Sequence, residues 1–264
     1  MTTATPMPMQ RWPLLLPILL ITATLLLFRI EKLLPVESPF AGDMIHSTLQ
    51  FLLGFGVLWL LKAFGLFAQT GLLRPVHEWP RRWPLAVIPM AMIGLINLLS
   101  VEWSQLQFDS VRFGGWIYNS LSTGFFEEIL LRGFCFYYLY RCWQERKNGL
   151  LMAAIAQALI FGLAHLSNLQ SVPAGDVVPQ VIYATLLGIG FAGIAAYAGS
   201  IWPVMGVHAF INAMGDLNNF FGPDLPDEPG SLASYAVAIV VISCASTLPG
   251  LYLLRLARQK AVAS

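Results

Sequence analysis

Apolar residues in this chain gather into eight runs, 13–28, 49–68, 84–99, 118–140, 149–166, 178–198, 201–217 and 235–254, separated by short connections that hold most of the charged positions. A run of about 20 apolar residues crosses a bilayer as a helix, because each residue adds about 1.5 Å against a hydrocarbon layer roughly 30 Å thick. The pattern predicts an all-α, polytopic membrane protein of about eight transmembrane helices. Trp12, Trp79, Trp83, Trp103, Trp116, Trp143 and Trp202 fall at or near the ends of the runs, where indole rings prefer the headgroup layer; only Trp59 sits well inside one. No connection is long enough for a separate soluble domain, so residues 1–264 read as a single integral membrane domain.

Composition agrees. With 57% hydrophobic and 11% charged residues, and a mean hydropathy of +0.67, the chain lies far from the soluble average. Charge then orients the runs, since Lys and Arg collect on the cytoplasmic side of short connections. Arg11, Arg74, Arg81, Arg82, Arg141, Arg146, Lys147, Arg255, Arg258 and Lys260 occupy one set of alternate connections and ends. The other set holds Arg29, Lys32 and Arg112 with most of the acids: Glu31, Glu37, Asp43, Glu102, Asp109, Asp176, Asp224, Asp227 and Glu228. Eight crossings with both termini cytoplasmic fit this alternation, and the short loops with an Arg-rich inner side suit a bacterial inner membrane. The first run has the position of a secretory signal, but no small-x-small cleavage site follows it, so it reads as a retained helix.

Several functions are disfavoured. Cys135, Cys142 and Cys244 form no metal-ligand or redox spacing. There is no phosphate-binding loop and no basic stripe for nucleic acid.

Against this background "FFEEILLRGF", residues 125–134, places three charges in an otherwise apolar helix. Each charge near a bilayer centre costs about 3 kcal/mol on insertion scales, so each needs a partner or water. Glu128 and Arg132 are four apart with the acid first, the favourable order for an ion pair. Glu127 lies about 100° around the helix and is not used by that pair. The fifth run holds "FGLAH", with His165 four residues after Phe161, and the seventh holds "HAFIN", with His208 and Asn212 one turn apart. The remaining histidines, His46 and His77, read as solvated residues of connections. Ionisable residues on three membrane helices mark a functional site.

The order Glu-Glu-x-x-x-Arg, Phe-x-x-x-His, His-x-x-x-Asn over residues 116–217 resembles the CPBP family of intramembrane proteases, which includes the Rce1-type CAAX prenyl endopeptidases and the bacterial Abi proteins. The resemblance implies an eight-helix core around a polar cavity, with residues 116–217 as its catalytic part. It implies Glu127, His165, His208 and Asn212 as catalytic residues, with Glu128, Arg132 and Phe161 supporting them. The expected reaction is hydrolysis of a peptide bond near the C-terminus of a membrane-anchored substrate, prenylated or held by a transmembrane tail. Residue chemistry allows Glu127 as general base on water, His165 as a holder of that water or a proton relay, and His208 with Asn212 as donors to the oxyanion.

A zinc-dependent version, with Glu127, His165 and His208 as ligands, competes with this cofactor-free mechanism. Asn212 is a poor zinc ligand and a good oxyanion donor, and HExxH does not occur, which favours the glutamate mechanism. Outside proteolysis, the alternatives are a proton-coupled transporter and a catalytically silent immunity or binding protein. No internal repeat supports a transporter, and Gly188, Ala192 and Ala196 read as a small-residue stripe for close helix packing. His165 and His208 lie at different distances from their span ends, so a shared site requires staggered helices.

Overall fold

The computed structural model describes residues 12–36, 38–223 and 230–263; the charges noted at Arg11, Glu37, Asp224, Asp227 and Glu228 lie outside these residues. α1 (Leu15–Glu31) and α2 (Pro39–Ala63) are followed by α3 (Trp83–Asn97). α4 (Ser110–Glu128) runs through a π-helical stretch, Ile129–Phe136, into α5 (Tyr137–Trp143) as one rod. α6 (Gly149–Ala164) tightens into a 3-10 turn, His165–Gln170, before α7 (Ala174–Ala198). α8 (Trp202–Gly215) and the short α9 (Leu217–Phe221) precede a last rod made of α10 (Leu232–Ile242), a π-helical turn and α11 (Leu248–Ala263).

The protein is an all-helical, integral membrane protein. Five helical stretches are long and apolar enough to cross a bilayer: Pro39–Ala63, Trp83–Ser100, Gly149–Gln170, Ala174–Ala198 and Leu232–Lys260. Each of the eight apolar runs falls on a helix. However, α1 has 17 residues and α8 only 14, and the latter extends about 21 Å, less than a hydrocarbon layer. Outward-facing Leu52, Trp59, Leu85, Leu163 and Val240 give the surface its lipid-compatible character.

The largest departure from the sequence expectation is α2, which begins ten residues before the apolar run at 49. Ser38 caps it, its Oγ accepting from the Ala41 amide at 3.2 Å, and Pro39 occupies the first turn. The polar residues of the first turns, read as a connection, find partners within the bundle, as where Ser47 Oγ donates to Asn119 Oδ1 at 3.1 Å. His46 is therefore a helix residue. At its other end α2 stops at Ala63, so Lys62 lies in its last turn, over the Phe67 ring.

The π-helical stretch forms the centre. Every residue from Ile129 to Leu139 is buried, which on a helix means neighbours on all sides. Close approach comes from small residues: a Cβ on Gly188 of α7 would lie 2.9 Å from Ala158 of α6, and one on Gly124 would lie 3.0 Å from the Ala209 methyl of α8. α7 is unbroken across Gly188, Gly190 and Gly193.

The bundle has two chemically different ends. At one end Arg141 Nη1 donates to the Phe64 carbonyl at 2.9 Å, Arg258 Nη1 donates to Asn148 Oδ1 at 3.1 Å, and Lys260 lies over Tyr197. This end is closed by a turn, Thr70–Gly71, packed under the start of α8. Ile201 N donates to Thr70 O at 2.9 Å and Ser200 Oγ to Gly71 O at 3.1 Å. Gly71 and Gly199 both have positive φ (63° and 65°), and a Cβ on Gly71 would overlap the Gly199 backbone. At the opposite end Arg29 Nε donates to Gln170 Oε1 at 2.9 Å, and His46 Nδ1 pairs with Glu31 Oε2 at 2.7 Å.

Candidate active site

Adjacent carboxylates at the end of α4 meet different surroundings. The Glu128 side chain is fully buried, and its Oε1 accepts from Arg132 Nη1 at 2.8 Å and from His208 Nδ1 at 2.6 Å. Glu127, 26% exposed at its side chain, lines a cavity of about 600 Å³ and places Oε2 3.8 Å from His208 Nε2. The 100° turn between neighbours on a helix produces this separation, one carboxylate toward α8 and Arg132, the other toward open space. The π-helical stretch that starts immediately afterwards is of a kind frequent at functional sites.

His208 thus stands between the two acids. A carboxylate oxygen accepts, so Nδ1 carries the proton of the 2.6 Å bond and Nε2 is the nitrogen presented to Glu127. His165, the last-turn residue where α6 becomes 3-10, is held in the complementary way: its Nδ1 lies 3.0 Å from the Phe161 carbonyl, which can only accept. Its Nε2 is left without that bond, and the ring lines the cavity with Glu127.

Phe161 ties the helices together. Its ring lies 5.0 Å from that of His165, 6.4 Å from that of His208 and 4.9 Å from the Arg132 guanidinium carbon. Phe191 of α7 closes the other side, 4.6 Å from Arg132 and stacked on His208 at 4.8 Å. Arg132 is therefore sandwiched between two aromatic faces, a contact worth about 2 kcal/mol when desolvated. Both histidine rings nevertheless lie beside the one Phe161 ring, which brings α6 and α8 together at the site.

Asn212 lies one turn beyond His208, half-buried, and its side chain hydrogen-bonds none of Glu127, Glu128, His165 or His208. The site also contains residues that the sequence did not single out. His46, Glu31, Asp43 and Gln50 share the cavity wall with Glu127 and His165. Gln50 Oε1 accepts from Ser122 Oγ at 2.7 Å and Thr123 Oγ1 at 3.1 Å. For Asp43, His46 and Gln50 the signal was present in the early polar positions of α2, but the lack of an apolar run hid the helix that carries them. Phe191 gave no signal at all among so many apolar residues.

A zinc site needs three or four converging donors at about 2 Å from one point. Glu127 and His208 approach each other, but His208 Nδ1 is engaged by Glu128, and among the described residues no three His, Cys, Asp or Glu side chains are grouped as ligands. The donor set as arranged does not fit zinc.

Residues 109–214, which include all seven of these motif residues, match the family model described as type II CAAX prenyl endopeptidase Rce1-like. Over this segment the chain is similar to that family. No curated protein and no solved structure matches it. The similarity to CAAX-type intramembrane endopeptidases covers the segment that carries Glu127 and His165, which line a cavity within the apolar bundle.

Proposed function

We propose that Glu127 is the general base that activates water for hydrolysis of a peptide bond in a membrane-anchored substrate. The observation that carries this reading is the division between the two carboxylates: Glu128 is engaged by Arg132 and His208, whereas Glu127 faces the cavity opposite His208 Nε2. A separation of 3.8 Å leaves room for one water hydrogen-bonded at about 2.8 Å to both groups.

In the reaction Glu127 takes a proton from that water, and the hydroxide oxygen forms a bond to the scissile carbonyl carbon. The oxyanion develops toward His208 and Asn212. Glu128 holds the His208 ring through Nδ1 and so fixes the direction in which Nε2 faces, as a carboxylate does for a catalytic imidazole. Collapse of the tetrahedral intermediate breaks the C–N bond, and the proton held on Glu127, passed directly or through His165 Nε2, goes to the leaving amine. Each oxyanion donor contributes on the order of 10²–10³ in rate.

No step requires a metal. Cleavage of a membrane-anchored reporter peptide by the purified protein, with and without a zinc chelator, tests this: unchanged turnover after chelation supports the glutamate mechanism. Reversible loss on chelation moves Glu127, His165 and His208 into ligand roles.

We also assign the Arg-rich end, with the start of α1 and the end of α11, to the cytoplasmic side of a bacterial inner membrane. Arg74, Arg81, Arg82, Arg141, Arg146, Lys147, Arg255, Arg258 and Lys260 support this by the bias of basic residues toward the cytoplasm.

A further inference from the structure

Among the described residues, the polar and charged lining of the cavity that holds Glu127 and His165 gathers at one end of the bundle. Its rim is formed by Arg29, Glu31 and Lys32 at the end of α1, Asp43 and His46 at the start of α2, and Gln170 after α6. All of these belong to the end opposite the Arg-rich connections. The cavity lining includes no described residue of the Arg-rich connections, and toward that end the bundle is packed, with Leu61, Leu66, Thr70, Ser200 and Ile201 fully buried and the Thr70–Gly71 turn bonded to the start of α8. A separate recess at the Arg-rich end, lined by Arg74, Tyr137 and Tyr140, contains none of the site residues.

Basic residues accumulate on the cytoplasmic side, so these two facts point in one direction. We propose that the active site opens to the non-cytoplasmic face, and that its substrates are exported, membrane-anchored proteins whose scissile segment lies at that face. This rests on the proteolytic reading of the site. A cytoplasmic prenylated C-terminus would meet the closed end of the bundle.

The wall has the chemistry for such a segment. Deep in the cavity Ile21, Leu25, Phe126, Leu130 and Leu131 provide apolar surface, where an apolar side chain or the first turn of a membrane tail is desolvated. At the rim charges of both signs stand around the mouth, with Arg29 and Glu31 tied to Gln170 and His46. An extended segment that enters from that face passes these polar groups before reaching Glu127.

The test has two independent parts. Lys32→Cys, exposed at the rim, and Arg146→Cys, exposed at the opposite end, are each introduced into the full chain and treated in intact bacterial cells with a membrane-impermeant maleimide. The proposal expects labelling at position 32 without permeabilisation and labelling at position 146 only after it. The reverse result overturns it. Reporters carrying one and the same cleavable segment beside a single membrane anchor are then displayed on either face. Cleavage at least tenfold greater from the non-cytoplasmic face supports the substrate class, and preferential cleavage from the cytoplasmic face overturns it. If neither reporter is cut by protein that labels as expected, the proteolytic reading and the substrate class fall together, while the labelling still establishes the side of the opening.

Discussion

His208 Nδ1 lies 2.6 Å from Glu128 Oε1, a bond between residues 80 positions apart that joins α8 to the end of α4 at the centre of the bundle. The same oxygen accepts from Arg132, so one carboxylate orients both a cation and an imidazole. This arrangement separates two tasks. In the proposed mechanism Glu128 fixes geometry and Glu127, which faces the cavity, is the group that reacts.

Glu128→Gln removes the charge that holds His208 while keeping most of the volume. Turnover is expected to fall about 100-fold with KM within a few-fold of wild type, because the lost support acts on the developing oxyanion. Steady-state kinetics on a membrane-anchored peptide provide the check, and an unchanged kcat would mean that the Glu128–His208 bond has no part in the reaction.

Arg132→Ala leaves Glu128 buried with a single partner and empties the space between Phe161 and Phe191. Breaking a buried pair in this way costs about 3–5 kcal/mol. Thermal unfolding in detergent should show a drop of many degrees. A variant that unfolds at the wild-type temperature refutes the structural role of the pair.

Phe161→Leu fills most of the ring's volume but loses its contacts with Arg132, His165 and His208. The loss of aromatic stacking amounts to about 1–2 kcal/mol of stability. Activity should decline more than the melting temperature indicates, since both histidines lose a shared support. Proportionate effects on the two readouts would reduce Phe161 to a packing residue.

Gly188→Val places side-chain atoms where Ala158 already lies, a Cβ alone being 2.9 Å from its Cα. Overpacking of this sort destabilises by about 1–3 kcal/mol, and the displaced α6 carries His165 with it. Reduced stability together with reduced turnover is the expected result; Gly188→Val indistinguishable from wild type in both would show that α6 and α7 tolerate separation.

Glu31→Gln weakens the pair with His46 at the cavity rim, outside the reacting groups. KM should rise several-fold with kcat little changed. A fall in kcat at constant KM would place the rim pair in the chemistry instead.

Much of this was legible in the sequence. The membrane helices follow from apolar run length, and the ion pair of Glu128 and Arg132 from a four-residue spacing. Glu127 stood apart because 100° of helix rotation separates neighbours. The polar opening of α2 was not legible: Asp43, His46, Ser47 and Gln50 break the apolar run, and only their partners on α1 and α4 make a helix there sensible. The approach of His165 and His208 to one Phe161 ring was equally hidden, because it depends on how α6 and α8 pack. That His208 bonds Glu128 through Nδ1 is a long-range contact that no local spacing encodes.

The central claim is that Glu127 activates the attacking water, and single-turnover cleavage by purified wild-type and Glu127→Gln protein addresses it most directly, with substrate binding and melting temperature measured on the same samples. The account predicts that Glu127→Gln binds substrate and melts as wild type does while the cleavage rate falls about 10³-fold or more, within the range that general-base catalysis contributes. Cleavage by Glu127→Gln at close to the wild-type rate would contradict it.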